Sequence, residues 1–129
     1  MAAKAAVRTE EAPAPFQGAP YSQAIQAGGL VFVSGQLALR PGSSEIVADS
    51  IEEQTEQVFT NLRAILEAAG SGLDRLLKTT VFLADLRDFQ GMNEVYARHV
   101  GDTPPARSTI EVSALPSGAL VEIDAIAAL

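Results

Sequence analysis

Residues 49–72 read DSIEEQTEQVFTNLRAILEAAGSG, and this stretch predicts the clearest helix of the chain. Ser50 stands before the first apolar residue and Glu53 follows three positions later, which is the pattern of a capping box. Gly70 comes after the last apolar residue, where a C-terminal glycine is expected. The apolar residues between these ends keep helical spacing: Ile51, Val58, Phe59, Leu62, Ile65, Leu66 and Ala69.

Two extended runs precede this helix in residues 21–39, which read YSQAIQAGGLVFVSGQLAL. The runs flank Gly28 and Gly29, and a pair of glycines suits the two-residue turn of a hairpin. Residues 40–45, RPGSSE, are typical of a turn or loop. The segment before the helix is therefore predicted to be a β-hairpin and a loop.

The chain after the helix alternates strand and helix once more. Residues 76–85, LLKTTVFLAD, are rich in β-branched and apolar residues and predict a largely buried strand. Residues 88–100, DFQGMNEVYARHV, predict a second helix that is capped by Asp88, and residues 107–113 and 120–129 predict two final strands. The second helix is expected to turn four apolar side chains inward: Phe89, Met92, Tyr96 and Val100.

The predicted order of elements is β-β-α-β-α-β-β, which indicates an α+β fold with two helices packed on one face of a sheet. The opposite face must then meet water or another subunit. Leu30 and Phe32 alternate with Val31 and Val33, so this strand is apolar on both sides. A subunit contact is favoured over water, and an oligomer is expected.

Composition restricts the class of protein. Residues 16–129 are expected to form a single domain behind a flexible leader over residues 1–15. The net charge of −7 and the scattered Lys and Arg residues disfavour nucleic acid as a partner. The chain contains no cysteine and no apolar run long enough to cross a membrane, so a cytoplasmic location is expected.

No phosphate loop, zinc motif or nucleophile elbow occurs, and the single histidine, His99, is assigned a structural or surface role.

Several polar residues stand in apolar surroundings and are candidate functional residues. Arg107 opens a strand directly after two prolines and has no acidic neighbour in the sequence. Glu122 interrupts the apolar run ALVEIDAIAAL, where a buried carboxylate is costly unless it is paired. The other candidates are Tyr21, Ser34, Gly35 and Asn93.

Each candidate also has a purely structural interpretation. Arg107 could lie at the surface or form a salt bridge with Glu122. Asn93 could cap a strand end, and Tyr21 could lie at the edge of the core. The pair Ser34–Gly35 could form a β-bulge.

Six blocks of this sequence resemble the RidA family, also called the YjgF/YER family. In chain order the blocks are GAPYSQAI, VFVSGQL, QVFTNLRAILEAAGS, LLKTTVFLADLRDFQGMNEVYA, PPARS and LPSGALVEIDAIA. The resemblance covers roughly residues 16–128. It implies a chorismate-mutase-like fold, in which a mixed six-stranded sheet carries two helices. It also implies a homotrimer with ligand clefts between adjacent subunits.

The activity implied by the resemblance is hydrolysis of reactive 2-imino acids, which arise from enamines such as 2-aminoacrylate, to 2-oxo acids and ammonia. The small-molecule substrate would come from pyridoxal-phosphate dehydratases, and no cofactor or metal is required. The arginine of the family's PAR motif matches Arg107, and the glutamate near its C-terminal end matches Glu122. These two residues are the expected catalytic pair.

The expected substrate-binding residues also follow from the resemblance. The family's GPY tyrosine matches Tyr21, although this chain reads APY there. Many members carry a cysteine two residues after the arginine, where this chain has Thr109, so a thiol is not essential here. The remaining matches are Ser34, Gly35 and Asn93.

An imino acid suits these residues chemically. The planar guanidinium of Arg107 matches a carboxylate with two parallel hydrogen bonds, so the substrate anion supplies the acid that the sequence lacks. Glu122 in an apolar strand is expected to have a raised pKa and to position water or move a proton. Two alternatives are a regulatory protein that binds a small molecule without catalysis and, less favoured, an RNA-directed or translation-inhibiting role.

Overall fold

The computed structural model describes residues 3–129, and in this range six strands and two α-helices form one α+β fold. The predicted fold class is confirmed. Four short 3-10 turns cover Phe16–Gly18, Leu73–Arg75, Leu86–Asp88 and Pro116–Gly118. In chain order the main elements are β1 Ala5–Val7, β2 Ala24–Ala27, β3 Leu30–Gln36, α1 Ile51–Ala68, β4 Leu76–Leu83, α2 Phe89–His99, β5 Ala106–Glu111 and β6 Val121–Ala128.

Both ends of α1 carry the capping signals that the sequence predicts. Ser50 Oγ accepts a hydrogen bond from the Glu53 N–H at 3.1 Å and lies 3.2 Å from the Glu53 carboxylate. At the other end Gly70 has a φ of 83°, and the Ser71 N–H donates to the Leu66 carbonyl at 2.8 Å. This is a Schellman ending, in which a left-handed glycine lets later N–H groups satisfy free carbonyls. Local chemistry therefore sets the length of α1.

The six strands form one mixed sheet in the order β1-β2-β3-β6-β4-β5. Only β4 and β5 among these pairs run parallel, and α2 makes the connection between them. The hairpin of β2 and β3 turns at Gly28 and Gly29, whose φ angles of 59° and 78° fit the predicted two-residue turn. The last strand, β6, is inserted between β3 and β4, so the two halves of the chain share the centre of the sheet.

The first strand lies in the segment assigned above to a leader. Ala5–Val7 pairs antiparallel with Ala24–Gln26 of β2, and Val7 and Ala12 belong to the main hydrophobic core. The sequence pattern predicts five strands, and β1 is the sixth strand that the resemblance implies. A three-residue strand has too short an alternation to predict from sequence.

Both helices pack on one face of the sheet and enclose the core. Of the four side chains predicted to face inward, Met92, Tyr96 and Val100 are buried. Phe89 differs from the prediction, because it lies at the start of the helix and remains 39% exposed. Asp88 occupies the N-cap position as predicted, but its side chain makes no capping hydrogen bond.

The opposite face of the sheet, which we call the open face, carries apolar side chains, and no helix within residues 3–129 covers it. Phe32 is 42% exposed and Ile110 is 45% exposed on this face, whereas Val31 and Val33 are buried on the other. Phe32 pairs with Ile126 across β3 and β6. The described residues include no helix long and apolar enough to cross a membrane.

Candidate functional site

A cleft of about 380 Å³ opens beside the point where β3 meets β6. Glu122 is the one charged side chain among the described residues that line it. The complete lining of this glutamate cleft is Phe16, Ala19, Tyr21, Ser34, Gly35, Leu37, Pro116 and Glu122.

A bulge in β3 makes room for the Glu122 carboxylate. Val33 pairs with Ala125 and Gln36 with Ile123, so Ser34 and Gly35 together stand opposite a single residue of β6. The predicted bulge at Ser34–Gly35 is therefore confirmed. A Cβ on Gly35 would lie only 2.8 Å from Glu122 Cδ, so a residue larger than glycine would displace the carboxylate.

Burial raises the pKa of the Glu122 carboxyl above its usual range, and the nearby charge of Asp124 adds to this effect. A carboxyl group in such surroundings holds its proton more readily than one in water. It can therefore exchange a proton with a bound molecule closer to neutral pH.

The hydroxyl groups of the cleft are held by the backbone. The Tyr21 hydroxyl accepts a hydrogen bond from the Phe16 N–H at 2.5 Å, which places the tyrosine over the turn at Phe16–Gly18. Ser34 Oγ donates to the Ser22 carbonyl at 2.6 Å. The Ser34 hydroxyl thus donates its proton to a backbone carbonyl, whereas the Tyr21 hydroxyl can still donate its proton to another partner.

Two turns of similar conformation contribute to the lining of this cleft. Gln17 and Ser117 have φ angles of 53° and 58°, the two positive values among non-glycine residues in the described chain. Each sits inside a 3-10 turn that contributes its first residue, Phe16 or Pro116, to the cleft lining. Left-handed backbone at non-glycine residues is uncommon and often lies near functional sites.

A second group of residues surrounds Arg107 on β5. The guanidinium carbon lies 4.7 Å from the ring centroid of Tyr96 and 5.5 Å from that of Phe89. Within residues 3–129, no carboxylate lies within ion-pair distance of Arg107. The charge is therefore held by aromatic faces and stays available to an anion.

A contact between its hydroxyl group and strand β4 holds Tyr96 in place beside Arg107. Its hydroxyl lies 2.6 Å from Thr79 Oγ1, and Thr79 is the residue of β4 that pairs with Arg107. Burial raises the pKa of the Tyr96 phenol, while the Thr79 hydrogen bond and the Arg107 charge act against the rise. The phenol is accordingly neutral at physiological pH.

Asn93 and Thr109 lie on the same side as Arg107. Asn93 is on α2 between Phe89 and Tyr96, and Thr109 follows Arg107 by two residues on the strand. Asn93 Oδ1 and Thr109 Oγ1 are buried and have no hydrogen-bond partner within the described chain. Unsatisfied buried polar atoms are uncommon and often mark a functional position.

The structure thus divides the predicted site residues into two sets. Tyr21, Ser34, Gly35 and Glu122 line the glutamate cleft, whereas Arg107, Asn93 and Thr109 form the arginine group. Arg107 pairs with the buried Thr79 and points to the helix side, while Glu122 pairs with Phe82 and points to the open face. The alternative of a salt bridge between Arg107 and Glu122 in one chain is therefore wrong.

His99 has the structural role assigned to it. Its Nε2 donates to Glu56 Oε1 at 2.7 Å, and its ring stacks on Phe59 at 4.7 Å between centroids. A groove of about 590 Å³ passes the same histidine, lined by a mixture of acidic and basic side chains such as Arg63 and Asp102. In the described residues no cluster of three acidic or histidine side chains could hold a metal ion.

Sequence reasoning missed the aromatic partners of Arg107. Helical spacing predicts core positions for Phe89 and Tyr96. It does not indicate which strand these two side chains face. It also missed the apolar cleft residues Phe16, Leu37 and Pro116. Gly18 and Gly118 were the available signal, because each is the last residue of a 3-10 turn and follows Gln17 or Ser117.

Comparison with known proteins places the chain in a family. The family model described as "Endoribonuclease L-PSP" matches residues 9–129. A "RutC family protein" of Pyrococcus horikoshii is 51% identical over 96% of this chain and 97% of its own length. "Reactive Intermediate Deaminase A, chloroplastic" of Arabidopsis thaliana is 50% identical over 98% of this chain and 66% of its own length.

Solved structures share the fold over nearly the whole chain. RidA from the Antarctic bacterium Psychrobacter is 41% identical, with a TM-score of 0.90 over 97% of this chain and 99% of its own. Escherichia coli TdcF, solved with bound serine, is 38% identical, with a TM-score of 0.89 over 97% and 98% of the two chains. This chain belongs to the Endoribonuclease L-PSP family, which is the RidA/YjgF family.

Proposed function

We propose that this protein hydrolyses reactive 2-imino acids to 2-oxo acids and ammonia. The observation that carries the proposal is Arg107, an arginine that keeps its charge without an acidic partner in the described chain. A guanidinium in this state is a binding group for a carboxylate. Glu122 supplies the second function, because its raised pKa suits proton transfer near neutral pH.

The active form is proposed to be a homotrimer. Arg107 and Glu122 point to opposite faces of one sheet, so a single chain does not bring them together. Packing of one chain against the apolar open face of the next would place an arginine group beside a glutamate cleft. Each of three clefts would then contain residues from two subunits.

In the proposed reaction Arg107 binds the substrate carboxylate and the electrophilic imine carbon faces Glu122. Glu122 accepts a proton from water as the water oxygen forms a bond to the carbon of the protonated imine, which gives a neutral carbinolamine. Glu122 then returns this proton to the amine nitrogen, and the carbon–nitrogen bond breaks as ammonia leaves. The proton of the remaining hydroxyl group passes through Glu122 to the ammonia, so the oxygen becomes the ketone of the 2-oxo acid and no oxidant or cofactor is consumed.

The names of two relatives support this assignment. Reactive Intermediate Deaminase A carries the activity in its name, and TdcF was solved with bound serine. Serine has a carboxylate and a nitrogen on adjacent atoms, the arrangement that Arg107 and Glu122 would recognise in an imino acid. Pyridoxal-phosphate dehydratases, acting in the cytoplasm, are the proposed source of substrate.

The family description also names an endoribonuclease, which makes an RNA-directed role the second candidate. The glutamate cleft has no cation among its described lining residues, and the chain carries a net charge of −7. Both features oppose phosphate binding. A purified chain that cleaves RNA in a salt-sensitive manner, and does not accelerate imine hydrolysis, would favour that candidate instead.

The direct test adds the protein to a serine or threonine dehydratase and measures the rate of 2-oxo acid release. Arg107→Ala should remove the acceleration, and Arg107→Lys should restore little of it, because an ammonium lacks the planar fork. Arg87→Ala is the matched control, since Arg87 is a surface residue paired with Asp85. Full acceleration by either Arg107 variant would contradict the carboxylate-binding role.

A further inference from the structure

We propose that Tyr96 and Phe89 are positioning residues that hold the Arg107 guanidinium in one orientation for an anion. We call these two side chains the aromatic bracket. The inference rests on the proposed function, since it assigns to Arg107 the binding of a substrate carboxylate. It goes further by stating what orders the guanidinium without an acidic partner before the substrate arrives.

The chemistry of the bracket suits an anion-binding arginine. An acidic partner would order Arg107 but would also compete with the ligand for its N–H groups. Ring faces at 4.7 Å and 5.5 Å attract the cation through their π electrons and leave the edge of the guanidinium free. A fork held in this way loses less side-chain entropy on binding than a mobile one.

Tyr96 forms the rigid side of the bracket. Its ring is 5% exposed, its hydroxyl is hydrogen-bonded to Thr79, and Phe59 packs edge-on against it at 5.3 Å between centroids. Thr79 is also the cross-strand partner of Arg107. Thr79 therefore pairs with the backbone of Arg107 and also contacts the hydroxyl group of Tyr96, whose ring lies against the guanidinium.

Phe89 forms the exposed side of the bracket. It is the first residue of α2 and lies two helical turns before Tyr96, so the two rings share one face of the helix. Phe89 is 39% exposed, and its ring centroid lies 5.5 Å from the guanidinium carbon of Arg107, so this ring lies between the guanidinium and solvent-exposed surface.

Binding of 2-oxobutanoate, a stable 2-oxo acid, measures the effect by calorimetry. Tyr96→Leu should weaken binding by about tenfold and Phe89→Leu by roughly threefold, as expected for loss of a partly desolvated cation–π contact. In imine hydrolysis the KM should rise by similar factors while kcat stays within about twofold, because Glu122 is untouched. Tyr96→Phe keeps the ring and should bind within about twofold of the parent protein while its Tm falls.

Val31→Ala is the matched control, because Val31 is fully buried on β3, which β6 and β4 separate from β5 and Arg107. It should lower the Tm without changing the affinity for 2-oxobutanoate. Wild-type affinity in both Tyr96→Leu and Phe89→Leu would overturn the bracket, and Phe89→Leu decides the matter if Tyr96→Leu does not fold. A parent protein that binds 2-oxobutanoate but does not hydrolyse imines would overturn the proposed function and leave the bracket intact.

Discussion

At the residue scale, burial of Glu122 links the cleft to the pH dependence of folding. Burial raises the pKa of this carboxyl above 4.5 in the folded chain. The folded state therefore binds the proton more tightly than the unfolded state does. The stability that this protonation contributes is complete below the unfolded pKa and is lost as the pH rises through the folded pKa.

Glu122→Gln should separate stability from turnover. At pH 7 its Tm should equal or exceed that of the parent protein, and the difference should vanish below the ordinary pKa of glutamate. The catalysed rate should fall by roughly 10²-fold, and the rise of kcat/KM with pH across the Glu122 pKa should disappear. Thermal melting and single-turnover imine hydrolysis at several pH values measure both effects. A variant that melts much earlier and turns over normally would give Glu122 a structural role.

Gly35→Ala should lower turnover because the new Cβ displaces the Glu122 carboxylate from the cleft. The φ of Gly35 is not in the left-handed region, so the substitution adds no backbone strain. We expect the fold to persist while kcat falls by about tenfold or more, the scale of a misplaced proton-transfer group. Gly72→Ala is the control, since its Cβ would meet the Asp74 carboxylate at 2.7 Å outside the cleft. Equal activity losses in the two variants would contradict this explanation.

At the element scale, Gln23 ties the N-terminal segment to the sheet. Its side chain is 5% exposed, its Nε2 donates to the carbonyls of Thr9, Ala12 and Pro13, and its Oε1 accepts from the Thr9 N–H at 2.8 Å. One amide thus contacts four backbone groups of residues 9–13, with its two N–H groups shared among three carbonyls. This segment leads directly to Phe16, whose side chain forms part of the cleft wall.

Gln23→Leu should destabilise the protein because those backbone groups lose their partner. We expect the free energy of unfolding to fall by about 1–3 kcal/mol, the usual cost of unsatisfied buried polar groups. Gln26→Leu is the control, because Gln26 makes one such bond, to the Ala69 carbonyl at 2.7 Å. Denaturant unfolding of both variants measures the difference. A larger loss in Gln26→Leu than in Gln23→Leu would contradict the role of Gln23 as the main tie.

At the scale of the whole molecule, we expect the open face to be buried between the subunits of a trimer. Light scattering with size-exclusion chromatography should give three times the chain mass of 13.5 kDa. Phe32→Asp should shift the protein towards the monomer and remove imine hydrolysis, because each active site would lose one of its two halves. Thr60→Asp, on the exposed side of α1, should leave both properties unchanged. A parent protein that is monomeric and fully active would contradict the shared site.

The sequence by itself determined the elements, because their signals are local. A cap at Ser50, a left-handed Gly70 and a glycine pair at 28–29 act on the backbone within a few residues of themselves. Apolar spacing in α1 and the β-branched run of β4 likewise depend on nearest neighbours along the chain. The apolar surroundings of Arg107 and Glu122 marked them as candidate functional residues, and the family resemblance then supplied their proposed roles. The strand β1 was not predicted, because three residues are too few to show the alternation of side chains that marks a strand.

Only the tertiary structure decided which candidate residues share a surface. Insertion of β6 between β3 and β4, with β5 at the edge, sets the direction of each side chain through pairings between residues far apart in the chain. These pairings turn Arg107 to the helix side and Glu122 to the open face, and they bring Tyr96 beneath the guanidinium. Residue spacing along a strand records alternation but not the partner strand, and for that reason the division of the site into two halves became visible only in the folded chain.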